Sequence, residues 1–229
     1  MDCTIIFYTA NMLHEPFAGK VREQLLKAAG DIPVISVSQK PMDFGTNVCV
    51  GDTGRSHLNL YRQILIGSKA AKTKYVAMAE DDILYSYEHF HTRLPSPNTF
   101  LYNINKWSIF TWNHPAIFSY RERMVVNSLI AERDMLVDSL QERFDKYPDE
   151  SKVELSHWGD PGRYEDKLGV TIRKTETFKS SVPNIVFSHP EAFGYLNLGN
   201  RKKLGPERVY ELPIWGKAED ILRIYEQNI

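Results

Sequence analysis

The stretch Lys74-Tyr-Val-Ala-Met-Ala-Glu80-Asp81-Asp82-Ile-Leu-Tyr85 decides the reading of this chain. Tyr75 to Ala79 is a mostly apolar run that ends abruptly in three carboxylates. An unbroken apolar run of this length reads as a strand buried on both faces, as in a parallel sheet. Ligands of open α/β sheets bind outside the carboxyl ends of such strands. Adjacent acids repel one another and call for a compensating partner. A hard divalent cation carrying a phosphate-bearing substrate is the usual one. Taken alone, the stretch also fits an exposed acidic turn, so the flanking sequence decides.

Upstream, Thr4 to Tyr8 is a continuous β-branched and aromatic run, a second buried strand, and it ends in the small polar residues Thr9, Ala10 and Asn11. Pro16 precedes a helical pattern with Phe17, Val21, Leu25 and Ala28 on one face and Gly30 as its stop. Pro33 to Val37 is the next strand. A β-α-β unit implies parallel strands. Asp43 to Arg55 reads as a loop with Gly45, Gly51 and Gly54; no Gly-Lys-Ser/Thr ends it, so it is not a P-loop. Ser56 is placed to cap a helix running to about Lys72, with Leu58, Tyr61 and Leu65 on its buried side. Arg55 and Arg62 lie two turns apart, either as a solvated pair or in contact with an anionic donor.

Downstream, Phe100 to Ile104 and Ser108 to Trp112 read as a hairpin about Asn105-Lys106, with a short strand at Ala116 to Tyr120. Met124 to Lys146 has the pattern of a long helix. Val126, Leu129, Leu136, Leu140 and Phe144 form its stripe, with Glu132, Arg133, Glu142 and Arg143 on its polar side. Ser156 to Asp166 mixes glycines, aromatics and acids without periodicity, a poor core and a good site wall. Asn184 to Ser188 is a last apolar strand ending at His189. The basic loop Arg201-Lys202-Lys203 follows, then an amphipathic helix at Lys217 to Gln227.

The chain has 229 residues, 42% apolar and 25% charged, which suits one α/β domain. A net charge of −1 supplies no global field toward nucleic acid or anionic membrane. Cys3 and Cys49 lack metal-type spacing, and no disulfide framework is expected. With no signal-peptide pattern and no apolar run near the ~18 residues that span a bilayer, a cytoplasmic setting without membrane contact is expected.

These motifs together resemble the nucleotide-sugar glycosyltransferases of the GT-A fold. The carriers are the β-α-β-α-β first half, Glu80-Asp81-Asp82 where that fold has its Asp-x-Asp motif, and the late strand ending in His189. The first position of the motif is Glu rather than Asp. The resemblance implies a single GT-A-like domain with a mixed, mostly parallel sheet flanked by helices. Residues 1–85 would form the nucleotide-sugar half and 86–229 the acceptor half. It implies Mn²⁺ or Mg²⁺ on Asp82 and His189, with Glu80 or Asp81 on donor ribose or metal. Tyr8, Thr9 and Asn11 would hold the base and ribose of a UDP-sugar, and Arg201, Lys202 and Lys203 would close over the diphosphate. An inverting enzyme of this kind also needs a carboxylate base, and Glu165, with Asp166 and Asp160 behind it, occupies the matching place. Trp107, Trp112, Trp158 and Trp215 are available to stack a sugar or a base. The small size and the Trp-Gly-Lys-Ala-Glu-Asp ending are similar to phage-type transferases acting on hydroxymethylated pyrimidines in DNA. That implies modified DNA as one acceptor and a host cytoplasm as the setting. A nucleotidyltransferase on a similar fold would carry an early Gly-rich signature and a Lys, which Thr9-Ala10-Asn11-Met12 lacks. A non-catalytic binding module is the other alternative.

Overall fold

The computed structural model describes residues 2–110, 113–148, 159–188 and 204–226. The first strand, β1 (Cys3–Thr9), is buried along its whole length. Ile6 and Tyr8 enter one core cluster, Ile5 and Phe7 another. A strand clad on both faces needs an apolar residue at nearly every position, which is why its sequence does not alternate. Helix α1 (Phe17–Ala29) covers one face through Leu25 and Ala28; α2 (His57–Ala70) covers the other through Leu58, Tyr61 and Leu65. Ser56 caps α2, its Oγ accepting from the Asn59 N–H at 3.1 Å. Gly30 follows α1 at φ 57°, a conformation that glycine takes without steric cost.

β2 (Val34–Ser38) and β4 (Tyr75–Glu80) flank β1 in parallel, and β3 (Thr46–Cys49) extends the sheet beyond β2. A two-residue β5 (Ile83–Leu84) and a short α3 (Tyr87–His91) follow. Beyond them come β6 (Thr99–Asn103), β7 (Lys106–Phe110), β8 (Phe118–Tyr120), β9 (Leu129–Glu132), α4 (Arg133–Lys146) and a four-residue α5 (Glu165–Leu168). β10 (Lys174–Phe178) and β11 (Asn184–Ser188) come next, then β12 (Glu207–Val209), β13 (Glu211–Leu212), β14 (Gly216–Lys217) and α6 (Ala218–Glu226). Among the described residues the main sheet has seven strands, in the order β10-β6-β9-β4-β1-β2-β3. Only β9 runs against the rest. A second sheet, β12-β8-β7-β11-β5, packs with α1 and α6 around Phe17, Phe118 and Phe187. The main sheet therefore takes strands from both sides of residue 85.

Three expectations are corrected. The loop expected at Asp43–Arg55 contains β3. The expected hairpin about Asn105-Lys106 does not form: β6 belongs to the main sheet and β7 to the second. Lys106 is a buried strand residue, its Nζ donating to Asn127 Oδ1 at 2.7 Å. The helix expected from Met124 begins only at Arg133. Val126–Ser128 is a 3₁₀ turn, and Leu129–Glu132 is the strand wedged between β4 and β6. Its apolar residues suit either periodicity, and ladder hydrogen bonds to both neighbours outweigh helix propensity there.

Helix α2 lies close against the sheet because Gly67 has no side chain. A Cβ at this position would sit 2.5 Å from Ile6 Cγ2 and 2.9 Å from Val37 Cγ2. Gly67→Val should therefore lower unfolding stability by about 1–3 kcal/mol through overpacking. Urea unfolding reads this directly, and an unchanged midpoint would show that the helix shifts without cost.

Candidate active site

Six parallel strands bring their carboxyl ends to one edge of the main sheet. A cavity of about 90 Å³ opens there between β1, β4 and the start of α2, lined by Tyr8, Thr9, Arg55, Glu80, Asp81 and Asp82. A neighbouring pocket of about 250 Å³ on the α1 side shares Thr9 and Asp81 and adds Asn11, Arg22 and Lys40. Tyr8, Thr9, Arg55, Glu80, Asp81 and Asp82, all expected at a donor site, thus meet at one cavity.

The Glu80 and Asp81 carboxylates are held by neighbouring side chains. Tyr8 Oη donates to Glu80 Oε1 at 2.9 Å, and Asn127 Nδ2 donates to Glu80 Oε2 at 2.7 Å. Lys106 backs Asn127 from the interior. The Thr9 hydroxyl donates to Asp81 Oδ2 and accepts from the Asn11 N–H at 2.8 Å. The backbone carbonyl of Asp82 accepts from the Phe187 N–H at 2.9 Å, which ties the cluster to β11. Gln63 Nε2 donates to the carbonyls of Thr9 at 2.9 Å and Val37 at 3.0 Å, so α2 fixes the ends of β1 and β2.

Burial pushes the Glu80 carboxyl above its ordinary range, while Asn127 and Tyr8 pull it back. Burial also raises Asp81, from 3.8 to about 6, with the Thr9 hydroxyl opposing and the Glu80 charge adding. The folded state then binds this proton more tightly than the unfolded chain does. Stability is greatest with the proton on and falls as pH rises through the window from 3.8 to about 6. Denaturant unfolding across that window should show the fall. Asp81→Asn should flatten it in part, because Glu80 shares the direction; an unchanged slope would remove Asp81 as a source.

Other expected residues have structural partners. Asn11 takes the left-handed φ of 53°, and its Oδ1 accepts from the N–H groups of Gln39 at 2.8 Å and Lys40 at 2.9 Å. Its side-chain oxygen therefore braces the loop after β2. Arg62 turns toward α4, bonded to Asn59 Oδ1 at 3.2 Å and stacked 5.6 Å from the Phe144 ring centre. Glu165, the expected base, is only 2% exposed. Its Oε1 accepts from Arg143 at 2.6 Å and from the Gly162 N–H at 2.6 Å, and its Oε2 from the Tyr164 N–H at 3.1 Å. Arg143, assigned to a polar helix face, is fully buried as its partner. Glu165 thus locks the 159–168 segment to α4 and does not line the donor cavity. Asp166 is exposed on α5. Trp107 packs on Tyr120 at 5.3 Å, and Trp215 Nε1 donates to the Pro183 carbonyl at 2.8 Å, both as partly buried core residues. His189, Arg201, Lys202, Lys203, Trp112 and Trp158 lie outside the described residues.

Sequence reasoning missed Asn127 and Lys106. Asn127 lies inside the stretch with a helical pattern and Lys106 at the expected turn; the turn that precedes β9 carries Asn127 to Glu80, and β7, paired with β11, carries Lys106 to Asn127. Among the described residues, no group of three or more His, Cys, Asp or Glu side chains is arranged to hold a metal ion. Asp81 and Asp82 still line one cavity as adjacent hard-oxygen donors. That pair fits a cation whose other positions go to water and phosphate. None of the described helices is long and apolar enough to cross a membrane.

No protein-family model matches the chain, and no curated protein matches it in sequence. Solved structures match it in fold. S. aureus TarS 1–349 in complex with UDP-GlcNAc matches with a TM-score of 0.50 and 10% identity, over 82% of this chain and 59% of that one. The 2-C-methyl-D-erythritol 4-phosphate cytidylyltransferase of Thermus thermophilus gives 0.49 and 13%, over 83% and 94%. A glycosyltransferase involved in the glycosylation of the major capsid of PBCV-1 gives 0.46 and 12%, over 80% and 92%. The chain has a GT-A nucleotide-sugar glycosyltransferase-like fold, in which a mostly parallel sheet is covered by helices on both faces.

Proposed function

We propose that this chain transfers a sugar from a nucleotide-diphosphate donor, a UDP-sugar, to an acceptor hydroxyl, with Mn²⁺ or Mg²⁺ held by Asp81 and Asp82. The observation that carries the reading is the braced carboxylate cluster facing a cavity at the carboxyl ends of β1 and β4. Ligands of this architecture bind at that edge, and desolvated adjacent acids need the positive charge that a metal diphosphate brings. When bound, the cation neutralises charge developing on the departing nucleoside diphosphate.

The chain's own residues divide the remaining work. Tyr8 and Glu80 form one wall and Thr9 fixes Asp81, a set able to hold ribose and base. Arg55, at the cavity's α2 end, faces the anionic part of the donor. His189 as a further ligand and Arg201, Lys202 and Lys203 as a closing clamp belong to the same proposal, as does action in a cytoplasm. The acceptor hydroxyl belongs either to a hydroxymethylpyrimidine of DNA or to a saccharide.

The test is release of UDP from a panel of UDP-sugars with and without Mn²⁺. Slow release that needs metal and stops with EDTA is expected. Formation of pyrophosphate from a nucleoside triphosphate and a sugar phosphate, with no UDP release, would overturn the reading in favour of nucleotidyl transfer.

A further inference from the structure

We infer that a second pocket on the same sheet edge receives the acceptor and that its chemistry selects a saccharide; the inference rests on the donor reading above. This pocket has a volume of about 500 Å³ and lies at the carboxyl ends of β6 and β10, where Ile104 and Thr177 line it. That volume falls in the range of about 300–1,000 Å³ typical of small-ligand sites.

The two pockets are joined by consecutive residues of one turn. The Val126 N–H donates to Asp160 Oδ1 at 2.6 Å, and Asn127 Nδ2 donates to Glu80 Oε2 at 2.7 Å. Asp160 lines the second pocket and Glu80 the first. The Val126–Ser128 turn therefore fixes one carboxylate from each pocket relative to the other. That is the arrangement a two-substrate transfer requires, since the reacting atoms must meet in a set geometry.

The lining speaks to the acceptor's class. Acids and bases are balanced, with Glu122 and Asp160 against Arg123 and Arg163. Arg163 also bonds Asp160 at 3.1 Å, and Lys179 lies 3.6 Å from Glu122. Nucleic-acid binding draws its affinity from neutralised phosphates and needs a cationic excess. Here carboxylates that accept and guanidinium groups that donate surround an apolar patch of Ile104, Met124 and Val125. A sugar ring matches both, with hydroxyls for the polar groups and a C–H face for the patch.

The test loads the full chain with UDP and Mn²⁺, confirms the load by thermal shift, and then applies it to a glycan array and to duplex DNA containing 5-hydroxymethylcytosine. Binding to saccharides is expected, weakened at least tenfold in Thr177→Trp, which fills the pocket from an exposed position on β10. Saccharide binding that survives Thr177→Trp, or preference for the DNA, would overturn the inference. So would binding to neither probe by a chain that UDP and Mn²⁺ still stabilise. Absence of that stabilisation would instead mark failure of the donor reading, and the inference would fall with it.

Discussion

Asp82→Ala should abolish metal-dependent donor binding and lower sugar transfer by at least about a hundredfold, the scale on which loss of one transition-state charge stabiliser is felt. Two features make this variant informative. The bond that anchors this position to β11 comes from the backbone carbonyl of Asp82, which accepts from the Phe187 N–H at 2.9 Å, so this anchor survives loss of the side chain. The side chain lines the cavity beside Asp81. Asp82→Asn keeps the shape and removes the charge, and it should fail nearly as badly. The measurement is UDP release and donor affinity in Mn²⁺, alongside an unfolding curve to confirm a native fold. Wild-type turnover in a folded Asp82→Ala chain would show that the carboxylate does not hold the cation.

The second large effect is on stability. Glu165→Ala should cost about 3–5 kcal/mol, because it leaves Arg143 buried with its charge uncompensated. Much of the ~5–15 kcal/mol that holds an ordinary domain together would go with it. Among the described residues, Arg143 would keep the bond from its Nη1 to the Gly159 carbonyl, at 2.9 Å. The segment that lines the second pocket through Asp160 and Arg163 hangs on this pair. Replacing both partners with apolar residues, Arg143→Met with Glu165→Leu, should recover most of the loss, since paired removal of a buried ion pair is often near neutral. Urea unfolding of the single and double variants decides the matter. A Glu165→Ala chain of wild-type stability that binds donor and fails only in transfer would instead support Glu165 as the catalytic base.

Much of the first half was legible in the sequence. The unbroken apolar runs of β1 and β4 announce strands buried on both faces, and Ser56 and Gly30 mark helix ends by local chemistry alone. The abrupt change from Ala79 to Glu80-Asp81-Asp82 places the cavity, because a strand that surfaces in charge must end where solvent or ligand begins. The second half was less legible because its roles are set by distant pairing. Leu129–Glu132 is a strand only because β4 and β6 stand on either side of it. Lys106 and Arg143 read as surface cations, and in the fold they are buried against Asn127 and Glu165. Glu165 drew notice as an acid in an irregular segment, and the structure shows that it holds this segment in place.

On the proposed function, the cavity beside Glu80, Asp81 and Asp82 binds a nucleoside diphosphate through a divalent cation. Thermal unfolding with UDP, with Mn²⁺, and with both together tests it most directly. A ligand that binds only the folded chain stabilises it by about 2.7 kcal/mol at a hundred times its Kd. A clear rise in Tm is expected with UDP and Mn²⁺ together, little with either alone, and none in Asp82→Ala. An equal shift in Asp82→Ala, or a UDP shift indifferent to Mn²⁺, would contradict it.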